Sequence, residues 1–140
     1  MSFNKRQLAG VFTATLLSLA GCSAHSPMIM KNTINSSPAS TQLPPTYERV
    51  FITAQALPPH VEYDVVSQIE VGNIWYGSPT NSFNAMALRA RELGANVIIQ
   101  AKTWYQPSGF SWAAPHGSGL AVRVKDIKSI ESAKLAGNWY

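Results

Sequence analysis

The sequence predicts an α+β fold in the order β-β-α-β-β: one helix packed on a mainly antiparallel four-stranded sheet, preceded by a disordered tether. Three patterns predict it. Apolar and polar residues alternate along 63–71 and again along 120–125, the period-2 signature of half-buried strands. Between them, Phe83, Met86, Ala87, Ala90 and Leu93 share one stripe at the i, i+3, i+4, i+7 spacing of an amphipathic helix. Ahead of these elements, residues 23–46 are dominated by Ser, Thr, Asn and Pro and hold no apolar period, the composition of a chain that cannot bury a core.

In chain order, the β-rich run Arg49-Val50-Phe51-Ile52-Thr53 predicts the first strand. Pro58 and Pro59 end it, because proline donates nothing to a strand ladder. The second strand places Tyr63, Val65, Ile69 and Val71 on one face and Asp64, Gln68 and Glu70 on the other. Residues 72–79 read as a loop carrying Trp75 and Tyr76. The helix is expected over 82–93, with Thr80, Asn81 or Ser82 as N-cap and Gly94 as the left-handed C-terminal residue. Its inner alanines allow close approach to a sheet. Residues 96–102 predict a third strand, buried largely on both faces. A long Gly/Pro/Ser/aromatic loop over 105–119 then connects it to the fourth strand, 120–125. The tail has weak helical spacing at Ile127 and Ile130. The expected boundaries are 1–21, a signal segment; 22–46, a flexible linker; 47–126, the domain; and 127–140, the tail.

The N-terminus has its own logic. Lys5 and Arg6 precede an apolar stretch, 8–19, which runs into Leu19-Ala20-Gly21-Cys22. A positive n-region, a short apolar h-region and a small-residue site make a secretory signal. About a dozen apolar residues are too few to span a bilayer, which needs roughly 20. The site ends in a thiol, and the tetrapeptide resembles the lipobox of bacterial lipoproteins. That resemblance implies cleavage between Gly21 and Cys22 and acylation of the Cys22 sulfur. One acyl chain gives only marginal attachment; the two or three chains of this family give a stable one. Ser23 follows in place of Asp, which by the same resemblance implies the periplasmic face of the outer membrane rather than the inner membrane.

Charge and cysteine count exclude other classes. The whole chain is +4, and loss of Lys5 and Arg6 with the signal leaves +2, with no clustered basic face of the kind nucleic acid requires. Cys22 is the single cysteine, so no disulfide forms within the chain and the domain relies on its core.

The segment Arg89-Ala90-Arg91-Glu92-Leu93-Gly94-Ala95-Asn96-Val97-Ile98-Ile99 ends a helix and opens a hydrophobic strand. With Ile52-Thr53 and Tyr63-Asp64-Val65-Val66-Ser67 upstream and Gly117-Ser118-Gly119-Leu120-Ala121-Val122 downstream, it resembles the YbjQ-like and RcsF-like families of small β-β-α-β-β bacterial proteins. The likeness covers about 48–126. It implies the same fold and offers no catalytic residue. The RcsF-like members, which sense envelope stress, hold their domain with cysteine bridges that this chain lacks.

Candidate sites follow. His60 and His116 read as loop histidines and His25 as part of the tether. A metal centre needs three or four convergent ligands, so His60 and His116, with Glu62 and Asp64, are weak candidates. Ser111 and Ser118 lack a G-x-S-x-G elbow, and no cofactor motif is present. The expectation is a non-enzyme. Exposed aromatics on loops mark recognition surfaces, so Trp75, Tyr76, Phe110 and Trp112 are the candidate contact surface. The expected role is binding of another envelope component, a protein or a glycan, by a domain anchored to the bilayer through Cys22. The alternatives are a stress sensor or adaptor, and a metal-binding protein or small hydrolase.

Overall fold

In the computed structural model, residues 43–140 are described in full and residues 32–36 as backbone. The strands are β1 (Asn32–Ser36), β2 (Phe51–Ile52), β3 (Tyr63–Asn73), β4 (Val97–Ser108), β5 (Ser111–Val124) and β6 (Asn138–Trp139). The helices are α1 (Pro79–Glu92) and α2 (Lys128–Ser132). One sheet contains all six strands in the order β1-β3-β5-β4-β2-β6. Only β2 and β4 pair in parallel; the other neighbours are antiparallel. The class is α+β, with a mostly antiparallel sheet and one main helix.

Several details differ from expectation. The sheet has six strands among the described residues, not four. β1 falls inside the expected linker and pairs with β3 from Asn32 opposite Asn73 to Ser36 opposite Ile69. Residues 43–46, also assigned to the linker, lie against the end of α1, where the Thr46 N–H donates to the Arg91 carbonyl at 2.9 Å. The predicted loop over 105–119 is instead the outer half of a long β4–β5 hairpin, paired from Val97 opposite Val122 to Ser108 opposite Ser111. The helix begins earlier than predicted, with Pro79 in its first turn, where the missing N–H costs nothing. The signal segment, Gly21, Cys22 and His25 lie outside the described residues.

The core has two layers. On one face Met86, Ala87 and Ala90 of α1 pack on Ile69 and Val71 of β3, Ile98 and Ala101 of β4 and Ala121 of β5. Gly117 lets the helix come this close: a Cβ there would lie 3.1 Å from the Ser82 Cβ and 3.2 Å from the Met86 Cε. Gly94 has φ +78° and terminates α1 as expected. On the other face Phe51, Val97, Ile99, Val122 and Val124 are covered by Val61 and by Ile130 of α2. Asn96, buried between α1 and β4, accepts the Val124 N–H at 2.8 Å through Oδ1 and donates from Nδ2 to the Val124 carbonyl at 3.0 Å.

The β4–β5 register shifts between Ile99 and Lys102, and Gln100 sits there with φ 53°. Its N–H turns to the Gln55 carbonyl at 3.2 Å. Positive φ is strained for a residue with a Cβ. Gln100→Gly is therefore expected to leave stability unchanged or raise it by up to about 1 kcal/mol, and Gln100→Val to lower it. Thermal unfolding checks the pair; equal melting temperatures for the two variants would contradict the assignment.

Candidate functional site

Two connections at one end of the sheet hold the exposed rings. Where β3 ends, Asn73 Oδ1 accepts the Trp75 N–H at 3.0 Å, an Asx turn that swings the chain off the sheet. Ile74 is buried in that turn. The tip of the β4–β5 hairpin rests on it: Gly109 has φ +56°, and a Cβ there would lie 2.7 Å from the Ile74 Cβ. Phe110 follows Gly109 and stacks on Trp75, with ring centroids 5.4 Å apart and planes 25° apart.

All four rings singled out from the sequence are exposed: Trp75 by 46%, Tyr76 by 62%, Phe110 by 63% and Trp112 by 81%. Trp75 and Phe110 are in mutual contact, and Tyr76 adjoins the first of them in the chain. Trp112 stands on β5 next to the hairpin turn. Tyr105 is exposed as well and pairs with Pro115 in the same outer half of the hairpin. Its spacing is legible only once 105–119 is known to be strand. Trp104 belongs to the packing instead. Its Nε1 donates to Gln106 Oε1 at 2.8 Å, and its ring stacks on that of His116 at 5.9 Å.

The two candidate histidines do not converge. His60 is exposed in the turn before β3. His116 is a buried β5 residue opposite Gly72, not a solvated loop residue as the sequence suggests. Gly72 accounts for the difference: any Cβ there would lie 2.5 Å from the His116 ring, so the missing side chain gives the ring its place. His116 Nδ1 lies 3.0 Å from the Ala114 carbonyl. His60 precedes β3 and His116 pairs near its far end, so about nine residues of extended strand, roughly 30 Å, separate them. Glu62 and Asp64 lie at the His60 end. Among the described residues no three His, Cys, Asp or Glu side chains form a group able to hold a metal ion. No helix among them is long and apolar enough to cross a membrane.

A scan against protein-family models, a search of curated proteins and a search of solved structures each return no match.

Proposed function

We propose that the chain is a bacterial envelope lipoprotein, tied to a membrane by acylated Cys22, whose small α+β domain binds another envelope component through Trp75, Tyr76, Phe110 and Trp112. The observation that carries this reading is the exposed cluster itself. Four large rings lie in water at one end of the sheet, and two of them stack on each other. Contiguous exposed apolar surface is costly in water and marks interaction sites. Aromatic side chains are also the commonest energetic anchors of interfaces. The anchor itself is motivated by Leu19-Ala20-Gly21-Cys22 after two basic residues.

Crosslinking in intact cells followed by mass spectrometry tests the binding. The double variant Trp75→Ala, Trp112→Ala is expected to lose the crosslinked component. It is also expected to shift stability by no more than about 1–2 kcal/mol, because neither ring is a core residue. Unchanged crosslinks in a folded double variant would sink the reading. Labelled palmitate fed to cells tests the anchor: label is expected in the wild type and absent from Cys22→Ser.

A further inference from the structure

The partner can be narrowed further, on the reading just given. β1 runs antiparallel to β3 with Asn32 opposite Asn73. The chain therefore enters the sheet at the end of β3 from which Trp75 and Tyr76 leave. Nine residues separate Cys22 from Asn32. A chain spans at most about 3.3–3.6 Å per residue, so acylated Cys22 would keep this end of the domain within about 35 Å of a bilayer.

The segments that build this end carry no charge, although Lys31 directly precedes Asn32 and Glu70 and Lys102 border them in the chain. Neither 71–88 nor 103–122 contains an Asp, Glu, Lys or Arg. These segments cover the end of β3, the aromatic turn, most of α1 and the outer hairpin. The charges gather at the opposite end, where Lys125 pairs with Glu62 at 3.2 Å and Arg123 with Glu48 at 3.9 Å. Arg89, Arg91 and Glu92 lie there too, in the last turn of α1. Taking an ionised side chain out of water is expensive, so the uncharged end enters a headgroup layer at far lower cost. Trp and Tyr, each with an apolar body and a polar tip, are the residues enriched at membrane–water interfaces. The rings stand on a hairpin turn and the turn beside it, and Trp112 is 81% exposed. A projecting tip suits a deformable surface better than a rigid groove.

We propose that this uncharged aromatic end is a second membrane contact: Trp75, Tyr76, Phe110 and Trp112 enter the interfacial layer of the bilayer that holds Cys22. The acyl chains would hold the chain to the membrane, and the rings would add buried apolar area that fixes how the domain lies on it. The domain would then lie with its charged end, carrying Lys125, Asp126 and α2, turned towards the periplasm.

Single-tryptophan versions of the full chain test this. One retains only Trp112, with Trp75→Phe, Trp104→Phe and Trp139→Phe. The other retains only Trp139, which sits on β6 opposite Phe51. Each is placed in phosphatidylcholine–phosphatidylglycerol vesicles, with and without bromine on the acyl chains. Trp112 emission is expected to shift to shorter wavelength and to lose most of its intensity with brominated lipid, unaffected by added salt. Trp139 emission is expected to stay unchanged. Trp112 emission that is the same in both vesicles, or equal quenching of Trp112 and Trp139, overturns the proposal. A photocrosslinker at position 112 and co-sedimentation with purified peptidoglycan separate this failure from that of the broader reading. Capture of one protein or of the glycan without bromine quenching removes the membrane contact and leaves the binding domain. Absence of all three removes both.

Discussion

Asn96→Leu is expected to cost about 2–4 kcal/mol of unfolding free energy, since it leaves buried polar groups without partners. The Asn96 carboxamide is 4% exposed and pairs with both backbone groups of Val124, as a neighbouring strand would. It thus ties the exit of α1 to the last residue of β5. Leucine branches at the same atom but is larger, so overpacking adds to the loss. Urea titration is expected to show a lower midpoint with an unchanged slope, the sign of lost stability without a changed unfolded state. A midpoint equal to that of the wild type would show that Val124 finds water or another partner.

Removal of residues 138–140 should have an effect of similar size, about 2–4 kcal/mol from two half-buried aromatic rings and their hydrogen bonds. Tyr140 donates its N–H to the Val50 carbonyl at 3.0 Å, and its own carbonyl accepts the Val50 N–H at 2.9 Å. The same carbonyl accepts from Arg91 Nη1 at 3.2 Å. The Tyr140 ring lies 5.6 Å from that of Phe83, and Trp139 lies 5.2 Å from Phe51. Thermal unfolding of the shortened chain beside Trp139→Phe separates the ring from the edge strand. The single substitution should recover most of the loss. Equal melting temperatures for shortened and wild-type chains would contradict a structural role for β6.

Much of the domain was legible because its patterns are local. The α1 stripe and Gly94 after it follow from spacing within a dozen residues. The alternation of β3 holds only from Ser67 onward: a bulge between Val65 and Ser67 buries Val66 and leaves Tyr63 and Val65 exposed, against the expected face. The outer hairpin was not, because its composition mimics a loop for reasons that lie elsewhere in the fold. Gly117 is glycine because Ser82 and Met86 press on it. Pro115 falls one residue past the last β3 pair, Gly72 with His116, where one edge of β5 is open and a missing N–H is tolerated. β6 is two residues long and has no period to read. Asn96 looked like the start of a strand, since no spacing reveals a side chain that bonds 28 residues away. The candidate rings were legible as aromatics in turn-rich sequence. The stack of Trp75 on Phe110 was not, since it depends on the hairpin tip meeting Ile74.

The pairing of β2 with β6 joins Phe51 to Trp139, nearly the whole domain apart along the chain. Contacts between such distant segments slow folding, because the intervening loop must close before they form. β6, the strand that completes this sheet edge, follows every other strand of the sheet along the chain. The edge beside Phe51 therefore closes only once Asn138 and Trp139 are in place, and a chain interrupted before them would present that open edge to any protease it meets.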